Sequence, residues 1–292
     1  MKSSFSLAGV AAGLALVVAA LSASLSAQWQ MPVGGAKAPA AQPNMTGPVP
    51  RTAEGKPDLA GVWANPWATA GRGGRGAGTA PEKVGLDGIP EASFGNVGVG
   101  FKDGLPLQPW AADLLKKRMA DNSKDNPDAH CLPMGFLQFH EHPQFRKMIQ
   151  APGMMLIIYE ANYGLRQIFM DGRSPVKDPE PWWYGYSTGR WEGDTLVVET
   201  TGFTDDIWLD INGSPLTSGG KTIERFRRLN YGTLEIEIAV DDPKVYTRPW
   251  KVKVTQRLAP DTELNEFICE ERDSTHYVGA SGVGAAGVGA AK

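Results

Sequence analysis

Several signatures of familiar cofactor chemistry are absent from this chain. A phosphate-binding loop, Cys-x-x-Cys and a haem-attachment motif are all missing. An excess of one charge is missing too. Lys and Arg number 29 against 32 Asp and Glu, a formal charge of −3. Nothing in that balance argues for nucleic acid or another polyanion as partner. Cysteine is scarce, with two in 292 residues. Beyond the first thirty residues no segment is long and apolar enough to span a bilayer, so no stable membrane span is expected after leader removal.

The long apolar run that does occur is at the start. Lys2 precedes Leu7–Leu21, and the small residues Ser22–Ala27 follow. That pattern reads as a secretory leader cleaved after Ser26 or Ala27, with the mature protein periplasmic or secreted. An oxidising compartment makes Cys131 and Cys269 read first as a disulfide, tying a mid-chain loop to the last strand. The rival reading is two free thiols.

Gly 35, Pro 22 and Trp 9 are abundant. Composition divides the chain into a signal peptide (1–27), a Pro/Ala/Gly tether (28–56), a folded domain (57–275) and a low-complexity tail (276–292), with a flexible Gly/Arg loop at 70–80. Pro109 opens one peripheral helix, with Trp110, Leu114, Leu115 and Met119 on a shared face, ending near Asn122. From about residue 144 the pattern is strand after strand, ending with 264–270. Leu234, Ile236, Ile238 and Val240 alternate with Glu235, Glu237 and Ala239, which gives one dry face and one wet face. Hairpin-length turns and the lack of crossover helices predict an all-β antiparallel meander of eight or nine strands, closed as a barrel or folded as a sandwich. Gly61-Val62-Trp63 is similar to the opening strand of lipocalins, in which the Trp plugs the barrel floor. With Arg257 or Arg272 available to cover the indole, a calycin/lipocalin-like barrel is the expectation.

Four segments carry candidate chemistry. His140-Glu141-His142, if extended, points both imidazoles to one side, as a divalent metal or an acid–base site would need. The third ligand that a metal requires would have to come from His130, His276, Glu160 or Glu199, so a metal at His140/His142 is not favoured and no cofactor is expected. Pro181–Tyr186 offers Trp183, Tyr184 and Tyr186 as binding residues, with the tyrosines on one face and Trp183 on the other. Polar-tipped aromatics line pockets for ring-shaped ligands, and they also build ordinary cores. The 202–210 loop carries Asp205, Asp206, Trp208 and Asp210. Asp205 and Asp210 are acid–base candidates and Trp208 a binding candidate, while capping is the structural alternative. Glu224-Arg225-Phe226-Arg227-Arg228 is explained by cross-strand pairing with Glu235 and Glu237.

The run Gly185–Asp205, together with Trp208-Leu209-Asp210, Glu224–Arg228, Asp241-Asp242-Pro243, Cys131-Leu132-Pro133 and Asp58–Trp63, resembles a large group of exported bacterial β-rich proteins without a settled activity. The resemblance covers roughly residues 57–272. It implies export and the domain limits, and it implies no chemistry. The expectation is thus an exported barrel that takes a small-molecule ligand or substrate. Its pocket would serve a cofactor-independent hydrolase, lyase or isomerase acting on a glycoside, terpenoid or aromatic compound, with His140, His142, Asp205 and Asp210 as acid–base groups. A non-catalytic carrier and a structural envelope protein are the alternatives.

Overall fold

The computed structural model describes residues 43–66, 87–260 and 262–269. The expected leader, the tether up to residue 42, the 70–80 loop and the tail lie outside the described residues, as does Arg272. Eleven strands follow in chain order: β1 (Gly61–Ala64), β2 (Arg146–Ala151), β3 (Met154–Tyr159), β4 (Leu165–Phe169), β5 (Tyr186–Glu192), β6 (Thr195–Thr201), β7 (Ile207–Trp208), β8 (Pro215–Leu216), β9 (Lys221–Asn230), β10 (Thr233–Asp241) and β11 (Trp250–Leu258). Nine close into a barrel in the order β1-β11-β10-β9-β6-β5-β4-β3-β2, while β7 and β8 form a separate hairpin.

The period of two decides what lies inside. Ile236 sits opposite Phe226 on β9 and Val254 on β11, and Ile238 sits opposite Glu224 and Val252. The ring of inward positions continues through Trp63, Arg146, Tyr159, Arg166, Ser187 and Thr200, all buried. Most of this interior is aliphatic and aromatic, and its burial drives the closure.

The antiparallel meander breaks at one seam. β4 and β5 run parallel and share two residue pairs, Ile168↔Ser187 and Phe169↔Thr188. The intervening segment, 170–185, is long enough for the crossover that a parallel pair needs, and Pro175, Pro179 and Pro181 keep it from pairing as a strand. β5 also starts later than its aromatic run suggests. Gly185 takes φ +61°, which ends the extended alternation just before Tyr186.

Trp63 does sit at one end of the barrel, donating Nε1–H to the Leu59 carbonyl at 3.0 Å. The arginine over it is Arg228 of β9, 5.0 Å from the ring centre, and not Arg257. Arg257 points outward, because Trp63 pairs with Leu258 and the next residue must face away. Residues 43–56, expected as tether, dock at this same end. The Met45 and Gly47 carbonyls accept from Gly232 and Tyr231 N–H, and Arg51 pairs with Asp194 at 2.6 Å.

Helix α1 (Pro109–Ala120) matches the expected peripheral helix, although Trp110 and Met119 on its apolar face stay exposed. The segment from 264 to 269 is not a strand. It is an extended arm, held by the Lys147–Glu263 ion pair and by the Asn265 N–H on Glu160, and it ends in the Cys131–Cys269 disulfide.

Candidate functional site

The sequence places two histidines around Glu141, and an extended backbone there would aim both the same way. The backbone is instead helical: α2 (Phe136–Glu141) includes His140 and Glu141, and His142 is its C-cap. All six helix residues are buried. The helix lies against inward residues of five strands and closes the barrel at the end away from Trp63. Phe139 stacks on Tyr159 of β3, His140 meets Glu224 of β9, and Phe136 lies under Arg166 of β4. Arg146 of β2 and Gln256 of β11 both donate to the His140 carbonyl, one of the orphan acceptors of the helix end.

A charged network fills the space beside α2. Arg166 forks onto Glu224, with Nη1 to Oε1 at 2.9 Å and Nη2 to Oε2, and also donates to Ser187 Oγ and to Thr200 Oγ1 at 2.9 Å. His140 Nε2 lies 2.9 Å from Glu224 Oε1. Burial works to raise the Glu224 carboxyl, but Arg166 and His140 hold it at about 2. An ionised carboxylate only accepts, so His140 Nε2 carries the hydrogen and Nδ1 keeps its lone pair. Burial also keeps the imidazole below its ordinary value, hence neutral. Among the described residues His140 Nδ1 has no hydrogen-bond partner, and the Tyr159 hydroxyl, beside the Arg166 guanidinium, donates to none. Burial pushes that hydroxyl up to about 12, so it stays a donor.

Outside the wall, the seam between β4 and β5 forms a groove of about 260 Å³. Leu165, Phe169, Trp182, Trp183 and Tyr184 line it, along with Ser187. Ser187 is therefore common to the groove and the buried network. Tyr184 stands in the breach, its ring tilted 5.4 Å from Phe139 and stacked 6.3 Å from Tyr159. Only glycine fits opposite it, since a Cβ on Gly164 would come within 2.7 Å of the Tyr184 hydroxyl.

The other expected site residues are scattered. His142 sits edge-on to Phe94 at 5.0 Å, and burial followed by the Arg146 charge lowers it to about 3. Asp205 is exposed and accepts the Ser218 N–H at 2.6 Å. Asp210 is buried and accepts from the Val97, Gly213 and Ser214 N–H groups and the Ser214 hydroxyl, which makes it the organiser of its loop. Tyr186 does not share surroundings with Tyr184. Past the Gly185 turn it stacks on Phe169 and receives a hydrogen bond from Arg173. Trp208 lies under Arg118 in a second groove, which also touches Trp183. No group of three or more His, Cys, Asp or Glu among the described residues is placed to hold a metal ion.

Sequence reasoning missed Arg166, Tyr159 and the role of Glu224. The cross-strand account holds on the outer face for Arg227, which pairs with Glu235, whereas Arg225 pairs with Glu192 of β5 and Glu237 with Lys251 of β11. Glu224 belongs with Phe226 and Arg228 on the other face, and that alternation around Phe226 was the available signal. Arg166-x-Ile168 on β4 carried the same one. No family model, curated protein or solved structure matches the chain.

Proposed function

We propose that this chain acts outside the reducing cytosol as a binding protein for a small, uncharged, ring-bearing molecule. The ligand would lie in the seam groove, its ring against Trp182 and Trp183 and its polar group toward Ser187 and Tyr184. The observation that carries this reading is the breach itself. It joins an aromatic surface to a buried hydrogen-bond network where the wall has little backbone ladder, two residue pairs, as few as β1 and β11 share. At about 260 Å³ the groove suits one or two rings and excludes a peptide helix. The Cys131–Cys269 bridge supports the compartment, because disulfides persist in oxidising surroundings.

Intrinsic tryptophan fluorescence tests the reading against a panel of terpenoid, aromatic and glycoside compounds. Saturable quenching is expected from at least one, and Trp182→Ala should weaken it about tenfold, as loss of an aromatic contact does. No response across the panel, or a variant that binds as well as the parent, sinks it.

One observation favours catalysis on the same ligand. His140 is a neutral base oriented by Glu224, and Tyr159 is a free donor near it. In an isomerase or lyase reading, Nδ1 takes a proton while Tyr159 donates to the oxygen that gains charge. The same panel, followed for products by mass spectrometry, should show turnover that His140→Ala abolishes. Binding without product leaves the carrier reading standing and this one rejected.

A further inference from the structure

The larger groove, about 480 Å³, lies between α1 and the loop carrying Trp208. Its chemistry differs from that of the seam groove. Arg118 is half-buried in its wall, with Cζ 4.2 Å above the Trp208 ring and Nη1 donating to the Gly213 carbonyl at 2.7 Å. This placement is built in. Gly213 takes φ +96°, and a Cβ there would meet Arg118 Cδ at 2.5 Å, so the loop is shaped around the guanidinium. Among the described residues no carboxylate forms an ion pair with Arg118; Asp210, Asp125 and Asp206 act on it only at longer range. Burial lowers it to about 10, still a cation at neutral pH. A guanidinium has five N–H donors, and one of them is used here.

A second donor points the same way. Ser123 also lines this groove; it is buried, and its hydroxyl has no partner among the described residues. The rim is amphoteric: Asp121, Asp125 and Asp206 are set against Lys117 and Lys124, with Lys124 already paired to Asp125. His130 on the same rim is tied to the Lys124 carbonyl. A simple anion would meet three carboxylates on approach, and a simple cation would meet Arg118. A ligand bearing both charges satisfies both.

We infer that this groove is a second binding site, for a small zwitterion with an apolar side chain, of the free amino acid class. Its carboxylate takes the open donors of Arg118 and the Ser123 hydroxyl, a charge-assisted fork that lysine could not reproduce. Its ammonium faces Asp206, on the loop that supplies Trp208. Its side chain packs among Leu114, Leu132 and Trp183.

Calorimetric titration of the full folded chain with L-phenylalanine tests the inference. Phenylpropionate lacks the ammonium, and phenethylamine lacks the carboxylate. L-phenylalanine should bind, and each truncated probe should bind at least about tenfold more weakly, the loss of one charge-assisted contact. Arg118→Lys should weaken L-phenylalanine by a similar factor. Because Arg118 also packs on Trp208, the exposed Asp206→Asn is the second variant: it should weaken L-phenylalanine and improve phenylpropionate. Equal binding of either truncated probe overturns the inference. So does unchanged binding in both variants, or no heat from millimolar L-phenylalanine.

Discussion

β10 pairs with β9 over nine residues and with β11 over eight, whereas β4 and β5 share two residue pairs. The two sides of the barrel are therefore held by different means. On the long side the backbone ladder does the holding, and most of the outward charges only decorate it as solvent-facing pairs. At the seam the ladder is almost absent and one side chain spans the gap. Arg166 of β4 reaches Ser187 of β5, Thr200 of β6 and Glu224 of β9. The candidate ligand groove sits on the side-chain-held part. A wall held by side chains can yield locally at less cost than a wall held by a continuous ladder.

The largest test of this contrast is the disulfide. It joins the arm that leaves the long side, after β11, to Cys131, whose neighbours Leu132 and Pro133 border the two grooves. The cysteines are 138 residues apart, and closing a loop of that size is worth about 5 kcal/mol in the chain-entropy model. Replacing both cysteines with serine should lower the urea midpoint accordingly and weaken ligand binding in both grooves. If the midpoint moved by less than about 1 kcal/mol equivalent, the arm would be a passive tail and not a brace.

Glu224→Ala comes next. It leaves the Arg166 guanidinium buried without its carboxylate, a change that costs about 3–5 kcal/mol in comparable sites. Arg227→Ala on the same strand removes an exposed partner of Glu235 and should cost under about 1 kcal/mol. Equal effects in a denaturation series would erase the distinction between the two faces, and with it the bracing role of Arg166.

How much of this was legible follows the same division. The strands of the long side, their hairpin turns and the barrel closure could be read from strict alternation, because backbone pairing and one dry face leave a period-two trace. The disulfide could be read from the expectation of export, which makes an even cysteine pair a bridge. What escaped was whatever depends on contacts distant in sequence. Phe136–Glu141 is too short for helical periodicity to show, and it is helical because residues of five strands, Arg146 among them, receive it. Glu224 and Arg166 look like surface charges in any local window. They become a buried pair only when β4 and β9 face each other across the closed barrel. Of the expected acid–base residues, His140 alone joined the network, while Asp205 and Asp210 turned out to hold loops.

The remaining contrast is in titration. Apart from the covered Lys253–Glu235 pair, the outward pairs of the long side reach solvent, whereas the segment that closes the barrel buries groups with displaced ionisation. Burial and then the Glu91 charge raise Glu141 to about 8, and burial raises Asp128 to about 7 against a hydrogen bond from Asn162. Both carboxyls bind a proton in the fold that the unfolded chain has released, so each contributes stability that is lost as pH rises toward its folded value. His142, lowered to about 3, and Glu224, held at about 2, act in the opposite sense. Their contributions are present above their unfolded values and are lost as pH falls. Between about pH 4.5 and pH 6.5 Glu141 and Asp128 both lose stability while His142 alone of these groups gains it, because Glu224 is already ionised in both states, so these groups make stability decline slowly there. From about pH 6.5 to pH 8 Glu141 and Asp128 are the two of these four groups that still change, which removes about 2–3 kcal/mol. Thermal melts across that range should show the decline, and Glu141→Gln should remove most of it while leaving the acid limb intact. A melting temperature that holds steady or climbs toward pH 8 would mean that the plugging segment is wetter than its burial implies, and that the pH-sensitive part of the barrel lies elsewhere.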